Sequence, residues 1–318
     1  MATSGTYTYT LNTLQVIKDA LIEAGVINDT EEVDNTMYDS ALRRLNRNLK
    51  SLQIKGLLLW RVKEITLLLE DGKTSYTLGP SGDRCSETIV RTTLGAAEAA
   101  AQTELTVASS SGMTAADIVG IELDDGTVDW TTISSVDNST TITVDDALTG
   151  AAASGNVVYA YTSLAPKPIR IHSAYVIKDD SENSHTPLNI IPFDEYFQRN
   201  DKLTESYPND IYFHPELTTS QLKIWPLSDN NIARVVMMAE LPLDDSTITT
   251  DDVAVPNWWY NAIHYRMAWG LAESYGAPAD KVRRLRETAF IEEEEATNFS
   301  PEHTYIQLTP EYPGYNYG

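Results

Sequence analysis

Residues 32–56, EVDNTMYDSALRRLNRNLKSLQIKG, carry Tyr38, Ala41, Leu42, Leu45, Leu49 and Leu52 at spacings of three and four and end on Gly56. That period puts the apolar groups on one face of a helix, and the glycine can take the left-handed conformation that closes it. Upstream, Leu11, Leu14, Ile17, Ala20, Leu21 and Ala24 repeat the pattern before Gly25. Far downstream, Pro256 opens a helix of about 18 residues, with Trp259, Ala262, Ile263, Met267, Gly270 and Leu271 in one stripe and Gly276 at its end. A last helix over 279–297 turns Val282, Leu285 and Ala289 inward. These stretches predict a helical-bundle core within an α+β chain.

Between the helical stretches the period shifts to alternation. Ile65, Leu67 and Leu69 run into Asp71-Gly72, with Tyr76 and Leu78 beyond it, which predicts a β-hairpin. Between Arg91 and Lys167 there is no Lys or Arg, and ten acids stand there: Glu98, Glu104, Asp117, Glu122, Asp124, Asp125, Asp129, Asp137, Asp145 and Asp146. Short apolar runs alternate there with Ala, Ser, Thr and turn residues, predicting a small all-β module inserted at 95–163. The core is then discontinuous, 1–94 with 164–297, and 298–318 is a tail. Strand-like text also covers 169–177, 211–213, 222–225 and 233–239, where Pro208, Pro215 and Pro226 mark short or edge strands.

The 318 residues carry 46 Asp and Glu against 23 Lys and Arg, a net charge of −23. That balance opposes adhesion to nucleic acid, which needs clustered cations, yet it suits a conduit through which DNA slides without sequence-specific binding. Cys85 is the single cysteine, so no internal disulfide and no cysteine-built zinc site is expected. The polar segment 1–10 predicts no secretory leader, and no run reaches the roughly 18 apolar residues of a membrane span.

Catalytic motifs are missing. There is no phosphate-cradling glycine loop, no two-histidine zinc helix, no nucleophile elbow and no paired cysteines at metal spacing. His172, His185, His214, His264 and His303 are scattered. Asp124, Asp125 and Asp129 around Gly126 could offer oxygens to calcium, but the full calcium-loop spacing is absent and Asp-Gly is what a hairpin turn requires. No catalytic residue, metal or cofactor is therefore assigned. Carboxylate pairs for glycoside hydrolysis stay open, because their separation is a three-dimensional quantity.

Interaction surfaces are better marked. Arg43, Arg47 and Lys50 form a basic helical stripe. In the last helix Lys281, Arg283, Arg284 and Arg286 come first, and Glu292, Glu293, Glu294 and Glu295 come last. This order opposes the macrodipole at about 0.3–1 kcal/mol per exposed charge, and cations from a neighbouring subunit would relieve it. The tail holds Phe299, Tyr305, Tyr312, Tyr315 and Tyr317 among Pro301, Pro310 and Pro313, the composition of a segment that folds onto a partner.

Several spaced features extend along the chain: 41–46 (ALRRLN), 56–60, 66–69 and Tyr76-Thr77-Leu78-Gly79-Pro80, then Pro168 to Ile171, Ala174 to Val176 and Asp194-Glu195-Tyr196. They continue through Tyr207-Pro208, Tyr212 and 222–226 (LKIWP) to Pro256, Trp259, Ala262, Ile263, Tyr265, Ala268, Leu271, Ala272, Tyr275 and Gly276. In these the sequence resembles the tail accessory factors, or packaged-DNA stabilisation proteins, of short-tailed bacteriophages. The resemblance implies a helix-bundle core with a β region and a dodecameric ring docked on the portal protein. It also implies a virion location in the neck, after assembly in the host cytoplasm, where the ring seals packaged DNA and receives the tail. Portal contact through the tail aromatics follows from it, as do tail nozzle or fibre partners; no membrane partner does. The acidic insert departs from the compact family pattern. Two other readings stay open, a surface- or glycan-binding virion protein built around the β module and a glycan hydrolase.

Overall fold

The computed structural model describes residues 9–54, 59–178 and 185–299, in two units: Met1–Trp60 with Leu243–Gly318, and Arg61–Pro242. In the first unit, α1 (Thr13–Ala24) begins at Asn12, whose side chain accepts from the Gln15 N–H in a capping box, and ends at Gly25 with φ +76°. Helix α2 (Asn35–Leu52) begins at Asp34, whose carboxylate accepts from the Thr36 N–H. A short helix, α3 (Phe193–Gln198), belongs to the second unit, and α4 (Tyr260–Ser274) and α5 (Ala279–Phe299) complete the first. Ile17, Leu21, Leu45, Leu49, Ile263, Met267, Leu271 and Leu285 meet in one apolar core.

Arg266 of α4 ties three helices together. Its guanidinium donates to Ser51 Oγ at 2.7 Å and Asn48 Oδ1 at 3.4 Å on α2, and to Glu293 Oε2 at 3.1 Å on α5. Each of these bonds carries a full charge at a largely buried position, where such bonds are strongest.

The second unit holds β1 (Val62–Leu68), β2 (Ser75–Leu78), β3 (Cys85–Ser86), β4 (Val90–Thr93), β5 (Glu104–Thr106), β6 (Ile118–Glu122) and β7 (Val128–Asn138). It continues with β8 (Thr141–Val144), β9 (Val157–Tyr161), β10 (Arg170–Ile177), β11 (His185–Ile190), β12 (Asp210–Pro215), β13 (Ser220–Trp225) and β14 (Arg234–Glu240). One sheet runs β2-β13-β12-β11-β10-β14-β1-β3 and the other β4-β9-β6-β7-β8-β5. The first buries Ile65, Leu67, Tyr76, Val176, Ile224, Val235 and Met237; the second buries Leu105, Val119, Ile121, Ile133, Ile142 and Val158.

This architecture corrects the expected helical-bundle core. Among the described residues 28% are helical, and the larger unit is built on two sheets, an eight-stranded near-barrel and a six-stranded half-barrel. The periodic helices were conspicuous, whereas the large sheet is assembled from short strands paired across long sequence distances. Val62 of β1, for instance, faces Glu240 of β14. The expected hairpin is also absent. Gly72 does make a turn at φ +65°, but β1 pairs with β14 and β3, while β2 pairs with β13 near the opposite end of the strand order. The turn joins β1 to β2, which stand near opposite ends of the strand order.

Candidate functional site

In the second unit a polar cleft of about 310 Å³ is lined by Glu70, Asp71, Arg84, Trp130 and Asn231 among others. Strand pairing puts Trp130 of β7 opposite Gly120 of β6. The indole lies so close that a β-carbon on Gly120 would fall 2.6 Å from its Cη2. The Arg84 guanidinium lies over the ring, 4.1 Å from its centre. The tryptophan is thus packed against both the Gly120 backbone and the Arg84 guanidinium.

The charges of the cleft compensate one another. Glu70 Oε1 accepts from Arg84 at 2.8 Å and from Lys73 at 3.0 Å, and Lys73 also reaches Asp83 at 2.7 Å. Burial pulls the Lys73 ammonium down, but Asp83 and Glu70 outweigh it and hold its pKa above the ordinary lysine value. These ion pairs tie the turn at Glu70–Lys73 to Asp83 and Arg84.

The acid-rich stretch shows a role that counting charges missed. Eight of its ten acids accept hydrogen bonds from backbone N–H groups or hydroxyls of the second unit: Glu98 from Thr106, Asp117 from Thr114, Glu122 from Val157, Asp124 from Ala153, Asp125 from Thr127, Asp129 from Thr149, Asp137 from Thr143 and Asp146 from Thr131. The signal was available in the Thr and Ser that share this stretch, since Asp followed two residues later by Thr is a turn motif. Hydrogen bonds from Thr127 hold the Asp125 carboxyl below its usual range, and bonds from Thr143 and Ser135 do the same for Asp137. Asp124, Asp125 and Asp129 each serve separate turn or strand contacts, and among the described residues no group of three potential ligands is placed to hold a metal ion.

In the first unit the charged helix faces are the candidates for contact. Arg43 and Arg47 are exposed on α2, and Arg47 Nε donates to the Arg43 carbonyl at 3.3 Å; Lys50 instead pairs with Asp245 at 2.8 Å. The four glutamates separate. Glu293 is buried against Arg266, Glu292 is half-buried, and Glu294 and Glu295 are exposed. Helix α5 continues to Phe299, about a turn past Glu295, so its terminal dipole bears on the glutamates only weakly. The strain expected from the charge order is correspondingly small, and Glu293 finds its cation within its own unit. Phe299 is exposed at the end of α5, with its ring 5.3 Å from that of Trp258. Tyr305, Tyr312, Tyr315 and Tyr317 lie outside the described residues, as do Gly56 and His303.

His264, half-buried on α4, is pushed below the usual histidine pKa by burial, against the pull of Asp19 and Glu23. Among the described residues no helix is long and apolar enough to cross a membrane. No protein-family model matches the sequence, and no curated protein is significantly similar to it.

Proposed function

We propose that this chain is a structural protein of a phage virion, an adaptor that forms a ring on the portal, helps to seal packaged DNA and connects head to tail, and that it is not an enzyme. The observation that carries the reading is where the charged groups lie. In the cleft and the acid-rich stretch they are largely engaged in holding strands and turns, while α2 exposes Arg43 and Arg47 and, on α5, exposed charge and apolar surface coincide. Surfaces of that kind suit contact with other protein chains.

The spaced resemblance supports the same reading. Many of its positions, among them Leu45, Tyr76, Leu78, Ile171, Ile224, Trp259, Ile263 and Leu271, are buried core residues. They bear on a shared way of folding more than on a shared site, and the mostly-β architecture removes the helix-bundle core that the resemblance implied. The net charge of −23 suits a channel that DNA crosses without sticking. The packing of Gly120 and Arg84 against Trp130 weighs against a sugar stacking on it.

Electron microscopy of portal particles mixed with the purified full chain tests the reading. An added ring on one face of the portal is expected, and portals that stay bare at saturating chain would overturn it.

A further inference from the structure

The exposed face of α5 is divided by charge. Arg283 and Arg284 stand exposed near its start, Glu294 and Glu295 stand exposed near its end, and between them Phe290 is 50% and Ile291 56% exposed. At 100° per residue, Arg283, Glu287, Phe290 and Glu294 fall on one stripe at spacings of four, three and four, the spacing of a helix–helix seam. Leu285, Ala289, Glu293 and Ala296 face inward, so this stripe is not the one used within the first unit. Among the described residues Arg283 pairs with exposed Asp280 at 3.1 Å, and Arg286 lies over the rings of Trp269 and Phe290.

We infer that α5 is a self-association surface, which pairs antiparallel with α5 of a second copy of this chain about a twofold axis near Ala289. The charge order selects the occupant and the direction. In antiparallel register Arg283 and Arg284 of one copy lie opposite Glu294 and Glu295 of the other, twice over, and the two Phe290–Ile291 patches meet at the centre. A parallel pair would set arginine against arginine and glutamate against glutamate. Glu287 lies beside the apolar centre within reach of the arginines one turn earlier. The pair is isologous, each copy offering the same patch.

The inference stands apart from the ring reading. Neighbours in a ring that docks one face on a portal are related by rotation about the ring axis, so a twofold pair is not the contact between ring neighbours.

The test uses the full chain in sedimentation equilibrium. The wild type should dimerise, with its dissociation constant rising at least about tenfold between roughly 0.05 M and roughly 0.5 M salt. Arg283→Glu with Arg284→Glu gives one variant, and Glu294→Arg with Glu295→Arg gives another. Each alone should bind itself at least about tenfold more weakly, because like charges then face each other. An equimolar mixture of the two should return to within about threefold of the wild type, since every facing pair is again opposite in sign. That rescue also excludes misfolding as the cause of the losses. A wild-type chain that stays monomeric at low salt up to about 1 mM would overturn the inference, and so would a dimer that neither variant weakens or a mixture that fails to recover. Portal binding by the same proteins reads the ring proposal separately, and its loss or retention leaves the pairing result unchanged.

Discussion

Replacing Gly120 with alanine should destabilise the six-stranded sheet, although alanine is ordinarily the better strand residue. The added β-carbon would stand 2.6 Å from Trp130 Cη2 and 2.7 Å from Cζ2 and Cζ3, distances that real contacts do not reach. The indole cannot simply slide outward, because Arg84 lies 4.1 Å from its ring and is itself held by Glu70 at 2.8 Å. Overpacking of this kind costs about 1–3 kcal/mol. Displacing the guanidinium forfeits a further contribution of about 0.5–1 kcal/mol at a partly exposed site. With a urea slope of about 1–3 kcal/mol per molar, the unfolding midpoint should fall by on the order of 1 M. The sign is diagnostic. With Trp130→Ala already present the clash is gone, and Gly120→Ala should become neutral or stabilise by about 0.5–1 kcal/mol, the usual backbone preference. Urea unfolding of the four proteins, followed by far-ultraviolet circular dichroism, measures both values. If Gly120→Ala is as stable as the wild type while Trp130 is present, the packing is not as described.

Three further expectations follow from buried and hydrogen-bonded charge. Arg61→Leu leaves Glu240, 3% exposed at its side chain, without the guanidinium 3.2 Å away, and should cost about 3–5 kcal/mol in urea unfolding. The double replacement with Glu240→Leu should recover most of that, and a single-variant loss below about 1 kcal/mol would contradict a buried pair. Asp34, Asp125, Asp137 and Asp251 have carboxyls held below the ordinary 3.8 by hydrogen bonds, so the unfolded chain binds more protons in that range. Their contribution is present above 3.8 and lost as pH falls through their lower folded values. His264 acts with the same sign, its share present above 6.5 and lost as pH falls through its depressed value. Unfolding free energy should therefore decline on acidification, and a rise between pH 7 and pH 3 would contradict the assignment. At the alkaline end the raised Lys73 pKa acts oppositely, its contribution present below 10.5 and lost as pH climbs through the higher folded value. Lys73→Met should flatten that alkaline decline in a titration of stability.

The helices could be read from sequence because their information is local. Gly25 closes α1 after Ile17 and Leu21, Leu45 and Leu49 mark the buried side of α2, and Ile263, Met267 and Leu271 mark that of α4 within a few turns. The β6–β7 turn was equally local, with Asp125 and Gly126 between the strands that place Gly120 against Trp130. The large sheet was not legible, because nothing near residues 62–68 announces that they will pair with 234–240. The Asp71-Gly72 turn misled for the same reason: a turn fixes the chain direction over four residues but does not choose the partner of the next strand.

Of the candidate contact residues, Arg43, Arg47, Glu294 and Glu295 are as exposed as a contact would need. Glu293 is not, and its partner Arg266 is 27 positions earlier, beyond what helical spacing reveals. The acids of the β-rich stretch were counted correctly but read only as surface charge, when their hydroxyl and N–H partners make most of them part of the fold. A region without Lys or Arg cannot balance carboxylates with salt bridges of its own, so donors of another kind take that place.

The central claim, that this chain is an adaptor, is tested most directly by mass. Portal particles saturated with the purified full chain should sediment as a complex containing one chain per portal subunit. Failure to co-sediment, or saturation at a ratio other than one to one, would contradict it.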